Sequence, residues 1–178
     1  SLLINNASLF ERDLVATLTP ETWDAHLNTN LRAPALLMRD FAAQDIWQKD
    51  NKDANIDASD SNIDGCIINI IDQRIHRPTP DFISYSVSKT GLWALTQSFA
   101  QSMADKHIRV NAIAPGPVLP SARQTQAAFD RQASHVPLQH GTSPEEIVQA
   151  ARYILTASAM TGESIALDGG QHIAWATP

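Results

Sequence analysis

The chain has 178 residues, 43% of them apolar, and its 13 basic and 19 acidic side chains give a net charge of −6. That length and composition suit one hydrophobic core, as in an ordinary globular domain and not a disordered or fibrous chain. There is no clustered basic face of the kind a nucleic-acid binder needs, no apolar run near the roughly 18 residues of a membrane span, and a lone Cys66 makes no internal disulfide, which together fit a soluble protein of a reducing cytoplasm.

The first element is the apolar run Leu2–Ile4, closed by Asn5-Asn6. It reads as a buried strand entered near its beginning, so the chain is expected to be a later part of a longer fold. Thr19-Pro20-Glu21 opens a helix, with Thr as cap and Pro in the first turn. From Gln48 to Gly65 the chain carries five Asp and two Lys, −3 of the net charge, with no apolar periodicity. This reads as a polar, acidic surface loop at about 48–65. It lacks the central glycine and closing glutamate of a calcium loop, and the six histidines never form His-x-x-x-His, so no metal site is expected. Cys66–Ile71 is a second strand. The helix after it places Leu92, Leu95, Phe99 and Met103 on one face, facing the core or another subunit. Ile108–Ile113 is a third strand, Ser143-Pro144-Glu145-Glu146 opens another capped helix, and Ser164–Leu167 is a fourth strand. Trp175 either covers an apolar surface or reaches a neighbouring subunit. Alternating strands and helices predict an α/β fold in one domain, a parallel sheet with ligands off the carboxyl ends of its strands.

One stretch carries the chemistry. Asn69-Ile-Ile-Asp72 ends the second strand, Arg77-Pro-Thr-Pro80 forms a loop, and Tyr85 and Lys89 follow four residues apart, one turn apart on a single helix face. A neighbouring ammonium lowers a phenol from its ordinary pKa near 10, so Lys89 is expected to make Tyr85 a usable acid or base. The loop is expected to bring Asp72 back over the helix start. Asn5-Asn6-Ala7-Ser8 and Asn111-Ala-Ile-Ala-Pro115-Gly116 end neighbouring strands, so three strand ends converge on one edge.

These features, in order, resemble the short-chain dehydrogenase/reductase family: Asn5-Asn6-Ala7-Ser8, Asn30 in a helix, Asp72 at a strand end, Tyr85-x-x-x-Lys89, the Pro115-Gly116 turn, and Thr161-Gly162 to Asp168-Gly169-Gly170. The resemblance covers nearly the whole chain. It implies a doubly wound, Rossmann-like parallel sheet, a nicotinamide dinucleotide cofactor, a proton relay through Asn30, Tyr85 and Lys89, and a homotetramer. None of the seven glycines forms the glycine-rich pyrophosphate turn with which such folds begin, so the C-terminal two-thirds of the fold is expected here. The resemblance places the cofactor against Asn6, Ala7, Ser8, Tyr85, Lys89, Pro115, Gly116 and Val118.

Within the family, Asp72 stands where most members have Ser. A carboxylate accepts hydrogen bonds and a hydroxyl also donates, so Asp72 suits a substrate rich in N–H donors. With Asn-Asn-Ala-Ser and an aromatic two positions later, the chain resembles the pteridine reductase and dihydromonapterin reductase branch. That branch implies NADP(H) ahead of NAD(H), Phe10 stacked on a pterin, Ser8, Asp72 and Tyr85 at the substrate, Asn30 holding a relay water, and a substrate loop over Val136-Pro137-Leu138 to Thr142-Ser143. Pro117-Val118-Leu119 replaces the hydroxyl residues common after the Pro-Gly turn. Two other readings stay open: a general carbonyl or alcohol oxidoreductase in which Asp72 merely replaces Ser, and a catalytically silent, partner-binding member.

Overall fold

A computed structural model describes residues 1–47, 64–121 and 124–174. Four strands, β1 (Leu2–Asn5), β2 (Gly65–Ile70), β3 (Ile108–Pro115) and β4 (Ser164–Leu167), pair in parallel in chain order. Ile67, Ile68, Val110, Ala112 and Ile113 are fully buried. A parallel strand covered on both faces is predominantly apolar, which is why β2 and β3 read as apolar runs interrupted only by the polar Asn69 in β2 and by Arg109 and Asn111 in β3.

Helices lie on both faces. On one, α2 (Ala33–Ala42) and α3 (Ile83–Ser102) pack Met38, Phe41 and Leu92 against Ile67, Val110 and Ala112. On the other, α5 (Pro144–Thr156) packs Ala150 and Ile154 against Cys66, Ile68 and Ile113. This is the doubly wound, Rossmann-like arrangement. The stripe on α3 serves the core: Leu92 and Met103 are buried in it, and Leu95 and Phe99 pack against it.

Helix starts follow their capping residues. The Thr19 side chain accepts from the Thr22 N–H to begin α1 (Pro20–Leu27). Ser143 and Glu146 form a reciprocal capping box at the start of α5, satisfying two otherwise orphaned donors. The far end of α5 is gathered by Arg109 of β3, whose guanidinium donates to the carbonyls of Ile154, Leu155, Ala157 and Met160. A short helix, α4 (Gln126–Ser134), lies between β3 and α5. Among the described residues no helix is long and apolar enough to cross a membrane. The acidic loop, over residues 48–63, and Trp175 lie outside the described residues.

Candidate active site

Parallel pairing levels the strand ends: Asn5 lies opposite Asn69, and Ile70 opposite Ile113. Asn5 Nδ2 donates to Asn69 Oδ1 at 2.7 Å, and Asn69 Nδ2 donates to Thr96 Oγ1 of α3 at 2.9 Å. This buried, mutually satisfied chain ties two strand ends to the helix carrying Tyr85 and Lys89, and such networks specify one arrangement.

On α3 the loop returns Asp72 to the helix start as expected. Tyr85 Oη donates to Asp72 Oδ2 at 2.9 Å, and Asp72 Oδ1 accepts from the Arg74 N–H at 2.8 Å while the Arg74 guanidinium pairs with the carboxylate at 3.3 Å. Lys89, 2% exposed, donates from Nζ to the Ile70 carbonyl at 2.8 Å. Burial lowers its ammonium from 10.5 to about 8, with the Asp72 charge opposing that shift. The expectation that Lys89 pulls the phenol down is not met. Burial, then the charge and hydrogen bond of Asp72, hold Tyr85 well above its ordinary value, and Arg74 is the cation that opposes them. Lys89 Nζ stands 5.8 Å from the Tyr85 ring centroid, with its hydrogen bond directed to the main chain. Tyr85 is therefore a phenol that carries its proton at neutral pH.

Asn30 is held as a clamp. Its side chain is fully buried and engaged at both ends: Oδ1 accepts from the Leu9 N–H at 2.7 Å and from Ser8 Oγ at 3.3 Å, and Nδ2 donates to Leu9 O at 2.9 Å and Ser88 Oγ at 3.0 Å. It clamps the segment after β1 to α3, and leaves no amide group over for a relay water. Asn30 sits in a π-helical turn, Asn28–Arg32, where the Ala33 N–H reaches back five residues to the Asn28 carbonyl. Turns of this type cluster at functional sites.

The clamped segment and α3 wall a cleft of about 940 Å³. Phe10, Asp72, Tyr85, Gly116 and Val118 line it. Asn6, Ala7 and Ser8 lie exposed just before it, past the end of β1, and Pro115 is buried at the end of β3. Gly116 must be glycine: a Cβ there would lie 2.6 Å from Asp168 Cβ and 2.7 Å from Asp168 Cα. The far wall is formed by residues around Ser121, Gln124, Thr125 and Phe129, which supply polar groups where Pro117-Val118-Leu119 supplies none. The expected substrate loop, Val136 to Ser143, is not that wall. Val136 is 3% exposed and packs against Gly169, where a Cβ would come within 2.6 Å of Val136 Cγ2, and Ser143 caps α5.

Gln73, Arg74 and Phe82 are among the lining residues that the sequence does not single out. Gln73 is 3% exposed, and its Oε1 has no hydrogen-bond partner among the described residues. Phe82 stacks on Phe10 with centroids 4.4 Å apart and planes 1° apart, while the Phe10 ring meets Tyr85 edge-on at 4.7 Å. The Arg74 guanidinium carbon lies 5.5 Å from the Phe10 centroid and 5.1 Å from that of Phe82.

Behind this wall, Asp13, His26 and Ser84 are each at most 1% exposed. Asp13 accepts from the Ser84 N–H at 3.1 Å and from the Ser84 hydroxyl. His26 Nε2 accepts from the Glu11 N–H at 3.1 Å, so its proton sits on Nδ1, which faces Ser84 Oγ at 2.8 Å. Asp13 thereby caps α3 from 71 positions away, where a carboxylate is favoured by the helix dipole.

Residues 1–172 match the family model described as enoyl-(acyl carrier protein) reductase. FabG of Thermotoga maritima, a 3-oxoacyl-[acyl-carrier-protein] reductase, is 28% identical over 95% of this chain and 65% of its own length. Dihydromonapterin reductase of Citrobacter koseri is 36% identical over 60% of this chain and 44% of its own. Among solved structures, FolM alternative dihydrofolate reductase 1 from Brucella suis, in complex with NADP, matches 99% of this chain and 66% of its own at 44% identity and a TM-score of 0.86. A 4-hydroxyisoleucine dehydrogenase complexed with NADH matches at 30% identity and a TM-score of 0.77, over 95% of this chain and 67% of its own. The chain thus spans about two thirds or less of the length of these relatives.

Proposed function

The chain belongs to the short-chain dehydrogenase/reductase family, and on that premise we propose that it serves an NADPH-dependent reduction of a pterin-like nitrogen heterocycle, with Tyr85 as proton donor. The observation that carries this reading is the hydrogen bond from Tyr85 to Asp72 at the wall of an aromatic-lined cleft. Reducing a ring C=N bond adds a hydride to carbon and a proton to nitrogen, and nicotinamide supplies the hydride when bound.

The chain's own residues account for the rest. Tyr85 arrives protonated, because burial and Asp72 oppose its ionisation, and it delivers that proton to the substrate nitrogen. Asp72 and the unpartnered Gln73 oxygen offer acceptors to an N–H-rich edge, which a serine at position 72, with a single oxygen that also donates, would match less fully. Lys89 fits a dinucleotide: an ammonium has three donors, and one goes to the Ile70 carbonyl, which leaves the others to ribose hydroxyls. Asn6, Ala7, Ser8, Pro115, Gly116 and Val118 continue the cofactor's path along the strand ends. Proton resupply passes by the main chain of the π turn at Asn28–Arg32, since the Asn30 amide is engaged. The FolM structures from Brucella, described with NADP, support the phosphorylated dinucleotide, and the NADH complex makes NAD(H) the second choice. A cytoplasmic homotetramer, usual in the family, is part of the proposal, and analytical ultracentrifugation of the full chain tests its assembly.

The deciding experiment follows NADPH consumption by the full chain with 7,8-dihydropterin and with a panel of ketones, sugars and 3-oxoacyl thioesters. Preferential turnover of the dihydropterin supports the proposal. Preference for the carbonyl panel shows that Asp72 merely replaces Ser, and no turnover of either by protein that binds NADPH supports a silent, partner-binding member.

A further inference from the structure

Phe82 is an unusual residue for its place. It is the N-cap of α3, a position where a short polar side chain normally accepts from the first helical N–H groups, and its φ of 59° and ψ of 44° lie in the left-handed region. Bulky side chains rarely adopt that region, which otherwise falls to Gly, Asn or Asp. Strain of this kind persists only where the surroundings over-determine it, and here they do. The Phe82 N–H donates to the Asp13 carbonyl at 2.9 Å, the Phe82 carbonyl accepts from the Ser86 N–H at 2.8 Å, and the capping role has passed to the Asp13 side chain.

The left-handed turn carries the Phe82 ring flat onto Phe10, beneath the Arg74 guanidinium. Phe10 stands on a segment outside regular structure and is 40% exposed. A phenyl ring so placed has two side-chain torsions to settle before it offers a fixed plane, and ordering it on binding opposes affinity. A second ring lying parallel against one face settles that plane in advance and leaves the rest of Phe10 turned to the cleft.

We propose that Phe82 is a positioning residue for substrate choice: it fixes the plane of Phe10, so that the cleft selects flat, conjugated nitrogen heterocycles over flexible carbonyl compounds. This rests on the pterin reading, and it adds a residue and a cause, the left-handed cap that aims the ring.

The test uses Phe82→Gly, Phe82→Leu and Phe82→Tyr in the full chain. Glycine removes the ring and is at ease at positive φ, leucine keeps apolar bulk without a flat face, and tyrosine keeps the stack. Two readouts are taken: kinetics with 7,8-dihydropterin and NADPH, and the dissociation constant of dihydropterin for the NADP⁺-loaded protein by fluorescence titration. The expected result is a KM and a dissociation constant raised about threefold to tenfold in the glycine and leucine variants, the size of an aromatic pair interaction. The tyrosine variant should match the parent, kcat should stay within about twofold, and the melting temperature of Phe82→Gly should hold because glycine, without a Cβ, sits at positive φ free of strain. Unchanged KM and dissociation constant in both ring-less variants overturn the inference, above all if melting falls, since Phe82 would then be structural. If the parent binds dihydropterin without reducing it and the variants bind it more weakly, this inference stands and the proposed reaction falls. A parent that neither binds nor reduces dihydropterin overturns both.

Discussion

The Tyr85 hydroxyl donates to the carboxylate of Asp72, 13 positions back along the chain, across 2.9 Å. That contact places an acceptor beside the proton donor and helps to keep the phenol protonated. Asp72→Ser should therefore lower dihydropterin turnover and raise turnover of simple ketones, because a hydroxyl able to donate replaces a carboxylate that only accepts. Side-by-side kcat/KM values check this. If the two activities fall together, Asp72 has no part in substrate choice.

Tyr85→Phe keeps the buried ring and its edge contact with Phe10 and deletes the proton. Turnover should fall by about 10²–10⁴, the usual share of a general acid, while NADPH affinity measured by calorimetry changes little. Unchanged turnover, under conditions where the chemical step limits the rate, would remove Tyr85 from the mechanism.

Lys89 should make stability and activity move in opposite directions with pH. Its ammonium has a lower pKa folded, about 8, than its ordinary 10.5. Between those values the unfolded chain holds the additional proton, so this group's contribution to stability rises with pH across that window. Turnover should fall above about 8, as the charge proposed to meet the ribose is lost. Denaturant melts and kcat/KM profiles from pH 7 to 10 check both arms. Lys89→Met should remove the rise in stability, and a wild-type kcat/KM flat to pH 10 would show that the ammonium is dispensable.

Phe10→Ala separates a binding ring from a core ring. Phe10 is 40% exposed, so the loss of stability should stay well under the roughly 3–5 kcal/mol of a buried aromatic, and the dihydropterin KM should rise about threefold to tenfold. A large drop in melting temperature with unaltered kinetics would take Phe10 out of the site.

Arg109→Lys tests the far end of the sheet. A lysine replaces the planar fork with a point charge and cannot reach all four carbonyls at the end of α5. A loss of about 1–3 kcal/mol of stability is expected, with kinetic constants unchanged, since Arg109 lies on no wall of the main cleft.

Much of this was legible in the sequence because the physics was local. Doubly covered strands are predominantly apolar, so β2 and β3 stand out. Thr19 and Ser143 cap within three residues, and Tyr85 and Lys89 share a face by helical spacing alone. What escaped depends on distance or on broken preference. Nothing in Phe-Ile-Ser-Tyr suggests a left-handed Phe82, because local preference argues against it. Asp13 meets Ser84, and Asn5 meets Asn69, only through the fold. Asn30 was placed in the site, yet its amide is engaged by a segment 21 positions earlier. The substrate wall was assigned to Val136–Ser143 by resemblance, whereas packing puts Val136 behind Gly169 and gives the wall to residues nearer α4.

The hydrogen bonds that hold the clamped segment to α3 span 71 positions at Asp13–Ser84 and 58 at Asn30–Ser88. Contacts of such high order form only after the intervening chain has been gathered in, and that closure is slow. Strands β2 and β3, with α3, can collapse around Ile67 and Val110 first, with β1 and the segment bearing Phe10, whose partners are farther along the chain, docking afterwards. Weakening that late contact, as Ser84→Ala does, would then leave the refolding rate almost unchanged and hasten unfolding. In a chevron plot only the unfolding limb would rise, so the lifetime of the cleft is set separately from the speed at which the fold is reached.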